Sequence, residues 1–320
     1  MRRILVIAGG VLVLLLGGLI ILPNLIPQDV YRAKIEEEAS KLLGRPVKVT
    51  GNIGVSIFPR LEARAGASTI ANPEGFGNAP FASMKELRAA VALWPLLFQN
   101  VEIEEFVLVE PTIGLVNLES GKNNWTFDFG SAPPQEGEPP KQAGGSMGAA
   151  LRDVRIENGT VSYDDRQTKV MHSLRELNLS ADMKALDQPL SFNASGLANN
   201  LAFKLESRVE NPKAMMDGVI TPTSIKIDTE LLKTALDGKM ALGAKPNFDF
   251  TFDGEIPSAV QLADAFQVKD LPARGVLGKL SLNGQAFGTA DDFTLKIADA
   301  KHESPLLNAD LKGEARIAKA

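Results

Sequence analysis

The residues that could do chemistry in this 320-residue chain are few, and their surroundings decide against each of them. Gly144-Gly145-Ser146-Met147-Gly148 reproduces the G-x-S-x-G spacing of a hydrolase nucleophile elbow. Such an elbow holds its serine on a strained turn between a strand and a helix, and the Pro/Gly-rich segment around Ser146 can supply neither. Asp249-x-Thr251-x-Asp253-Gly254 begins like a calcium loop, but the twelfth position is Val260, where the metal needs a glutamate. The two histidines, His172 and His302, stand in separate parts of the chain, with no triad or metal-ligand signature about them. Asp164-Asp165 and Asp291-Asp292 are adjacent acids near turns, where carboxylates are ordinarily solvated. The absence of cysteine removes thiolate nucleophiles, disulfides and Cys-bound zinc together. No catalytic, cofactor-binding or metal-ligating residue is therefore assigned, and neither an enzyme activity nor a cofactor is expected.

The elements around these residues point elsewhere. Net charge is −5 with no block of like charge, which argues against nucleic acid, since phosphate binding needs a dense basic patch. The run Ile4 to Leu22, with Leu12 and Leu16 inside it, carries no charged side chain. As a helix it would extend roughly 28 Å, close to the hydrocarbon thickness of a bilayer. Arg2 and Arg3 precede it, so the N-terminus is expected to stay cytoplasmic and the rest of the chain to be exported. A cleaved signal peptide has a shorter apolar core and a small-x-small site, and Leu22-Pro23-Asn24-Leu25 offers none. An uncleaved single-pass anchor is expected over residues 1–27.

Beyond the anchor, Asp29 is placed to cap a helix from about Val30 to Leu43, with Gly44 past its end and Pro46 beyond. Its apolar side, Tyr31, Ile35, Ala39 and Leu42, would cover the end of the following sheet. From Pro46 the period changes from helical to alternating. Strands are expected at Leu87–Leu93, Val101–Val109, Thr112–Leu118 and Asn124–Phe129. Ser131–Ala149 reads as a linker or loop, dividing an α+β region at 28–130 from a repetitive β region at 150–320. In the latter, Asn158-Gly159 between two alternating runs is the signal of a tight hairpin. Further strands are expected at Leu174–Ala181, Leu190–Gly196, Ala202–Val209, Ser224–Leu231, Phe248–Phe252, Val276–Leu282 and Phe293–Ala298, with one short helix near Ala259–Phe266. The fold class is mainly β: an antiparallel succession with almost no helices to cover its apolar face, so a second sheet, a curled sheet or a ligand must do so.

Several motifs after the apolar run resemble the N-terminal region of the AsmA family of bacterial envelope proteins. They are Leu43-Gly44-Arg45-Pro46-Val47 with Gly51-Asn52-Ile53, then Phe58-Pro59-Arg60-Leu61 and Asn72-Pro73-Glu74-Gly75-Phe76. Val91-Ala92-Leu93-Trp94-Pro95-Leu96-Leu97, Glu110-Pro111-Thr112-Ile113 and Gly121-Lys122-Asn123-Asn124-Trp125 complete the series. Their order and spacing carry the resemblance over residues 1–129. From Val154 to Gly159 onward the chain is similar to the family's repetitive β region by pattern. The family usually continues well beyond this length, so the alternating run at Ala320 is expected to belong to a truncated chain or a short member. The resemblance implies an inner-membrane anchor, a periplasmic body, a long curled β-sheet with an apolar groove, and a role in moving phospholipid toward the outer membrane. Its Gly, Pro and Asn positions read as turn and bulge fixtures, and Trp94 and Trp125 as core or interface anchors.

Physical chemistry supports a groove independently. Acyl chains in water cost about 0.8 kcal/mol per exposed CH₂, and a strand turns every second side chain to one face. Candidate lining residues are Val101, Ile103, Phe248, Phe250 and Phe252, which an ordinary sandwich core would use equally well. The expected function is phospholipid carriage between membranes along that groove, supporting outer-membrane biogenesis. The partners would be the inner membrane, phospholipid acyl chains and envelope proteins. The alternative is a non-catalytic periplasmic assembly or scaffold factor that recruits outer-membrane or periplasmic proteins by strand addition.

Overall fold

The computed structural model describes residues 27–57, 60–97, 102–127, 151–243, 246–265, 276–289 and 291–318. The apolar run Ile4–Leu22, Val101, the stretch 131–149 with its G-x-S-x-G match, and Phe58-Pro59 lie outside these residues. Among the described residues, no helix is long and apolar enough to cross a membrane. The chain divides into two units, residues 1–178 and 179–320.

The first unit opens with helix α1 (Gln28–Leu43). Pro27 is its N-cap and no side chain caps it; Asp29 stands instead in the first turn, where its carboxylate pairs with Arg32 at 2.7 Å. The expected cap at Asp29 thus falls two positions past the observed N-cap, although a first-turn acid still complements the helix dipole. At the other end Gly44 takes the left-handed conformation, φ 63°, and closes the helix through its N–H to Ser40 O. Glu36 and Ser40 reach off the helix to accept the backbone N–H of Val49 (2.7 Å) and Val47 (2.9 Å). Tyr31 and Ile35 pack on a buried cluster of Val49, Ile53 and Ala65, so this half of the expected apolar side covers a sheet end, while Leu42 stays 61% exposed.

The strands that follow are short: β1 (Val47–Val49), β2 (Ile53–Ser56), β3 (Leu61–Ala65), β4 (Ser68–Ile70), β5 (Ala82–Met84) and β6 (Glu86–Val91). A five-residue helix α2 (Leu93–Leu97) ends this run, in place of a strand reaching Leu93. Next come β7 (Ile103–Val109), β8 (Thr112–Asn117), β9 (Leu151–Asp165) and β10 (Val170–Met183), the last passing into the second unit. Strand β9 runs parallel first to β7 and then to β8. Asn158-Gly159 therefore makes no hairpin: both residues lie inside β9, where Asn158 takes φ 53°. They bend β9 beside the Glu110-Pro111 step from β7 to β8, and the Asn158 and Thr160 N–H groups bond to Asn178 Oδ1 and Pro111 O.

A buried polar network fixes the segment after β8, where residues 124–127 carry no strand. Asn124 is fully buried; its Oδ1 accepts Val116 N–H (2.8 Å), and its Nδ2 donates to Asn72 Oδ1 (2.8 Å) and Gly114 O (2.7 Å). Arg45, also buried, donates to Asn124 O and Thr126 O, with its guanidinium 4.0 Å from the Phe127 ring centre and 5.2 Å from that of Phe81. Each polar group has a partner, which is the condition for burying it without loss.

The second unit is a meander. Strands β11 (Leu190–Ala198), β12 (Leu201–Val209), β13 (Thr221–Thr229), β14 (Lys233–Ala241), β15 (Asn247–Ile256), β16 (Lys279–Thr289), β17 (Asp292–Glu303) and β18 (Asn308–Ala318) each pair antiparallel with the next. Helix α3 (Pro212–Met216), capped by Asn211 Oδ1 on Ala214 N–H (2.9 Å), joins β12 to β13, and α4 (Ala259–Ala265) follows β15. A bulge at Ala298 in β17 shifts its register against both neighbours. The fold is mainly β, antiparallel apart from β9, with few helices.

Candidate functional site

Register assigns the faces of the second unit's sheet. One row of cross-strand neighbours runs Phe192, Ser207, Ile225, Leu236, Phe252, Gly284, Ile297, Gly313 through β11–β18. The rows beside it are Leu190, Val209, Thr223, Gly238, Phe250, Ala286, Leu295, Ala315 and Ala194, Leu205, Ile227, Thr234, Gly254, Leu282, Ala300, Leu311. Every Lys, Arg, Asp and Glu of these strands falls on the opposite set, as in Arg208, Ser224, Asp237, Thr251, Gln285, Lys296, Glu314. At about 4.8 Å between strands, an uncharged row measures roughly 34 Å across the sheet.

Burial shows what covers this uncharged face. In a sandwich the apolar face is the most buried surface of the protein, because a second layer lies on it. Here Leu205, Ile225, Leu236, Leu282, Leu295 and Ile297 are all half-buried, while their neighbours on the other face are mostly exposed. Among the described residues, the clusters of buried apolar side chains centre on Val49, Ile53 and Ala65 and on Phe81, Ala82 and Met84, both in the first unit. The second unit thus presents a continuous uncharged face with no packed layer of its own upon it among the described residues.

The three phenylalanines of β15 share this face, as their alternation with Asp249, Thr251 and Asp253 predicts. Each stands opposite a glycine: Phe248 by Gly288, Phe250 by Gly238 and Phe252 by Gly284. The rings of Phe250 and Phe252 fill the space their glycines leave. A Cβ on Gly238 would lie 2.9 Å from the Phe250 ring, and one on Gly284 2.8 Å from that of Phe252. Phe248 stacks with Phe250 at 6.3 Å and meets Phe293 at 6.0 Å. Phe250 is buried at 7% exposure and belongs to the sheet's own packing, whereas Phe248 and Phe252 remain half-buried. Leu205, Ile225, Leu236 and Leu295 share the face and are not singled out by the sequence; alternation marks the strands of Leu205, Ile225 and Leu295 without naming a side, and no strand is expected at Leu236.

Ile103 lies in the first unit, at the start of β7. It is half-buried in a row with Leu61, Val91 and Leu151, beside a second row of Ala63, Ala89, Phe106 and Val154. This sheet is also two-faced, but here it is the charged side that is the more buried. Val107, at 0% exposure, sits between Arg88 and Arg155 on a face carrying Glu62, Arg64 and Glu105. Arg60 pairs with Glu105 (2.5 Å) and Glu62 (3.0 Å), and Arg88 with Glu157 (2.9 Å). The hydrogen bond from Arg64, joined by Arg60, holds the Glu62 carboxyl below the ordinary glutamate range, against the opposing push of burial. Of the two tryptophans, Trp94 on α2 is 77% exposed and is no core residue, while Trp125 lies 5.8 Å from the Tyr163 ring. Among the described residues no cluster of His, Cys, Asp and Glu could hold a metal ion.

A mainly β protein with an uncharged, unlayered sheet face defines a scaffold that presents apolar surface. Residues 1–251 match the profile of the AsmA family, and the chain belongs to that family. It is similar to the AsmA family protein YhjG of Escherichia coli (strain K12), at 23% identity over 201 residues. That match covers 58% of this chain and 27% of the relative, so the chain spans only about a quarter of the relative's length. No solved structure matches.

Proposed function

We propose that the protein is held in the bacterial inner membrane by Ile4–Leu22, with its body in the periplasm. There it carries phospholipid toward the outer membrane along the uncharged face of β11–β18, without catalysis or cofactor. The observation that carries this reading is the half-buried, charge-free face, roughly 34 Å across, with no packed layer of the second unit on it among the described residues. Leaving such a face to water is costly at about 25 cal/mol per Å², and acyl chains repay the same cost on being covered. Lipid tails fit better than a folded partner on chemical grounds, because the face offers no hydrogen-bonding or charged side chain for a specific protein contact apart from its Ser and Thr hydroxyls and His302. Family membership supports an envelope role, and the length and flanking arginines of Ile4–Leu22 support the anchor.

Photo-crosslinking in cells tests the reading. A benzophenone side chain at Leu236 or Leu295 in the full chain is expected to give phospholipid adducts by mass spectrometry, and one at Lys226 or Lys239 is not. Adducts equally frequent on both faces, or none on either, would refute lipid carriage. Protein adducts at Leu236 in place of lipid would favour an assembly or scaffold role.

A further inference from the structure

We infer that α2 is a second membrane contact, in which Trp94 enters the headgroup–acyl boundary of the bilayer that Ile4–Leu22 is proposed to cross. The inference rests on that anchor and not on lipid carriage. Trp94 is 77% exposed, more than any other large apolar side chain among the described residues. The segment around it, Leu93-Trp94-Pro95-Leu96-Leu97, carries no charge. An indole ring has an apolar body and a polar N–H, so water suits one part of it and hydrocarbon the other. The membrane interface satisfies both.

Strand pairing assigns α2 to one end of the first unit's sheet. Ser56 of β2 pairs with Glu62 of β3, Leu61 with Val91 of β6, and Val91 with Ile103 of β7. The end of β2, the start of β3, the end of β6 and the start of β7 therefore lie together. Helix α2 leaves from that end just after Ala92, whose N–H is held by Glu102 O at 3.0 Å. Helix α1 runs opposite to β1 and β2: Ser40 meets Val47, Glu36 meets Val49 and Arg32 meets Gly51. Its first residues therefore point to the same end. Only β3 separates β2 from β6, a distance of about 10 Å. Pro23–Pro27 alone stands between Leu22 and α1, which limits the end of the apolar run to about 21 Å from Gln28 at about 3.5 Å per residue. A bilayer holding that run faces the end of the sheet from which α2 projects. Half-buried Leu61, Val91 and Ile103 form the last apolar row at this end, so the contact would set that row beside lipid. Arg60 pairs with Glu62 and Glu105, and Arg152 with Glu102, so these bordering cations are already neutralised and the contact is apolar instead of electrostatic.

The chain's two tryptophans make fluorescence quenching a direct test. Full-length chain is reconstituted in phosphatidylcholine vesicles with brominated acyl chains, as Trp125→Phe, which leaves Trp94, and as Trp94→Phe, which leaves Trp125. An indole buried about 5–10 Å into the interface is expected to be quenched about twofold or more, at low and high salt alike, and Trp125 much less. Dissolving the vesicles in unbrominated detergent should restore the Trp94 emission. Quenching that survives detergent would come from lipid held by the protein, and a blue-shifted but unquenched Trp94 would be covered by protein; either overturns the contact. Equal quenching of the two tryptophans overturns it as well. Carbonate extraction of the same vesicles separates the two readings. A carbonate-resistant chain with Trp94 unquenched refutes the contact and leaves the anchor standing, whereas a chain released by carbonate refutes the anchor and the contact with it.

Discussion

Replacing Leu236 with aspartate separates an open apolar face from a packed core, because the two make different demands on stability. Leu236 is half-buried in a row between Ile225 and Phe252. A fully buried leucine contributes about 1.5–3 kcal/mol, so the fraction lost here is about 1 kcal/mol, and a carboxylate at a half-exposed site keeps much of its hydration. The expected destabilisation is about 1–2 kcal/mol. Phe250→Asp is the internal control. At 7% exposure, packed over Gly238 and beside Phe248, it should lose the 3–5 kcal/mol of a truncated core phenylalanine and add the cost of a buried charge. The gap of at least about 2 kcal/mol corresponds to roughly thirtyfold in the unfolding equilibrium. Urea denaturation followed by far-UV circular dichroism reads both variants, and phosphate analysis of the purified full chain reads bound phospholipid. Leu236→Asp should stay folded and lose most of its lipid. If it unfolds as readily as Phe250→Asp, the face is covered and the groove reading fails; if it folds and keeps its lipid, the lipid lies elsewhere.

Three further outcomes follow from the same coordinates. Asn124→Ala strands the Val116 N–H and Gly114 carbonyl in a fully buried site and should cost about 3–5 kcal/mol by chemical denaturation; a loss under 1 kcal/mol would show that the network is dispensable. Gly238→Ala drives a methyl group into the Asp249 backbone and the Phe250 ring and should cost about 1–3 kcal/mol, a loss that Phe250→Ala in the same chain should partly relieve. Glu62 titrates below the ordinary glutamate range in the fold, so its stabilisation is present above about pH 4.3 and is lost as pH falls through its depressed folded value. Glu62→Gln should therefore be less stable at pH 7 and lose less stability than the parent between pH 4.3 and pH 3, as denaturation midpoints at the two ends would show.

What sequence could reveal here depended on the range of the interaction. The alternation in Phe248-Asp249-Phe250-Thr251-Phe252 placed a strand correctly because period two is a local property of one chain segment. Which side those rings took was not local, since a strand has two equivalent faces until its neighbours fix the register. Strand β14 was missed because Ala235, Gly238 and Ala241 dilute its alternation, and Gly238 is glycine for the sake of a ring on another strand. Asn158-Gly159 misled for a related reason. The dipeptide favours positive φ, which a hairpin needs, and the structure uses it to bend a continuous strand past Pro111. The bonds from Arg45 to Asn124 and Thr126 span 79 and 81 residues and carried no periodic signal, although both ends fall in motifs that mark the family resemblance. The half-burial that distinguishes Leu236 from Phe250 is a property of layers, and no single strand contains it.

The bulge at Ala298 behaves like a frame correction. Up to Ile297 the odd-numbered residues of β17 lie on the uncharged face, and from Ala300 the even-numbered ones do. Without that step Asp299, Lys301 and Glu303 would all be turned to the wrong side. Removing Ala298 alone would leave Ile297, Asp299, Ala300, Lys301 and His302 in unbroken alternation, so the sheet should accept that deletion. An added residue in the middle of β13 or β15 has no such step to absorb it and would transpose the rest of the strand. In a sheet whose two faces share no charge, length changes are therefore admissible in pairs, at bulges or in the connecting loops, and the strands themselves must keep count.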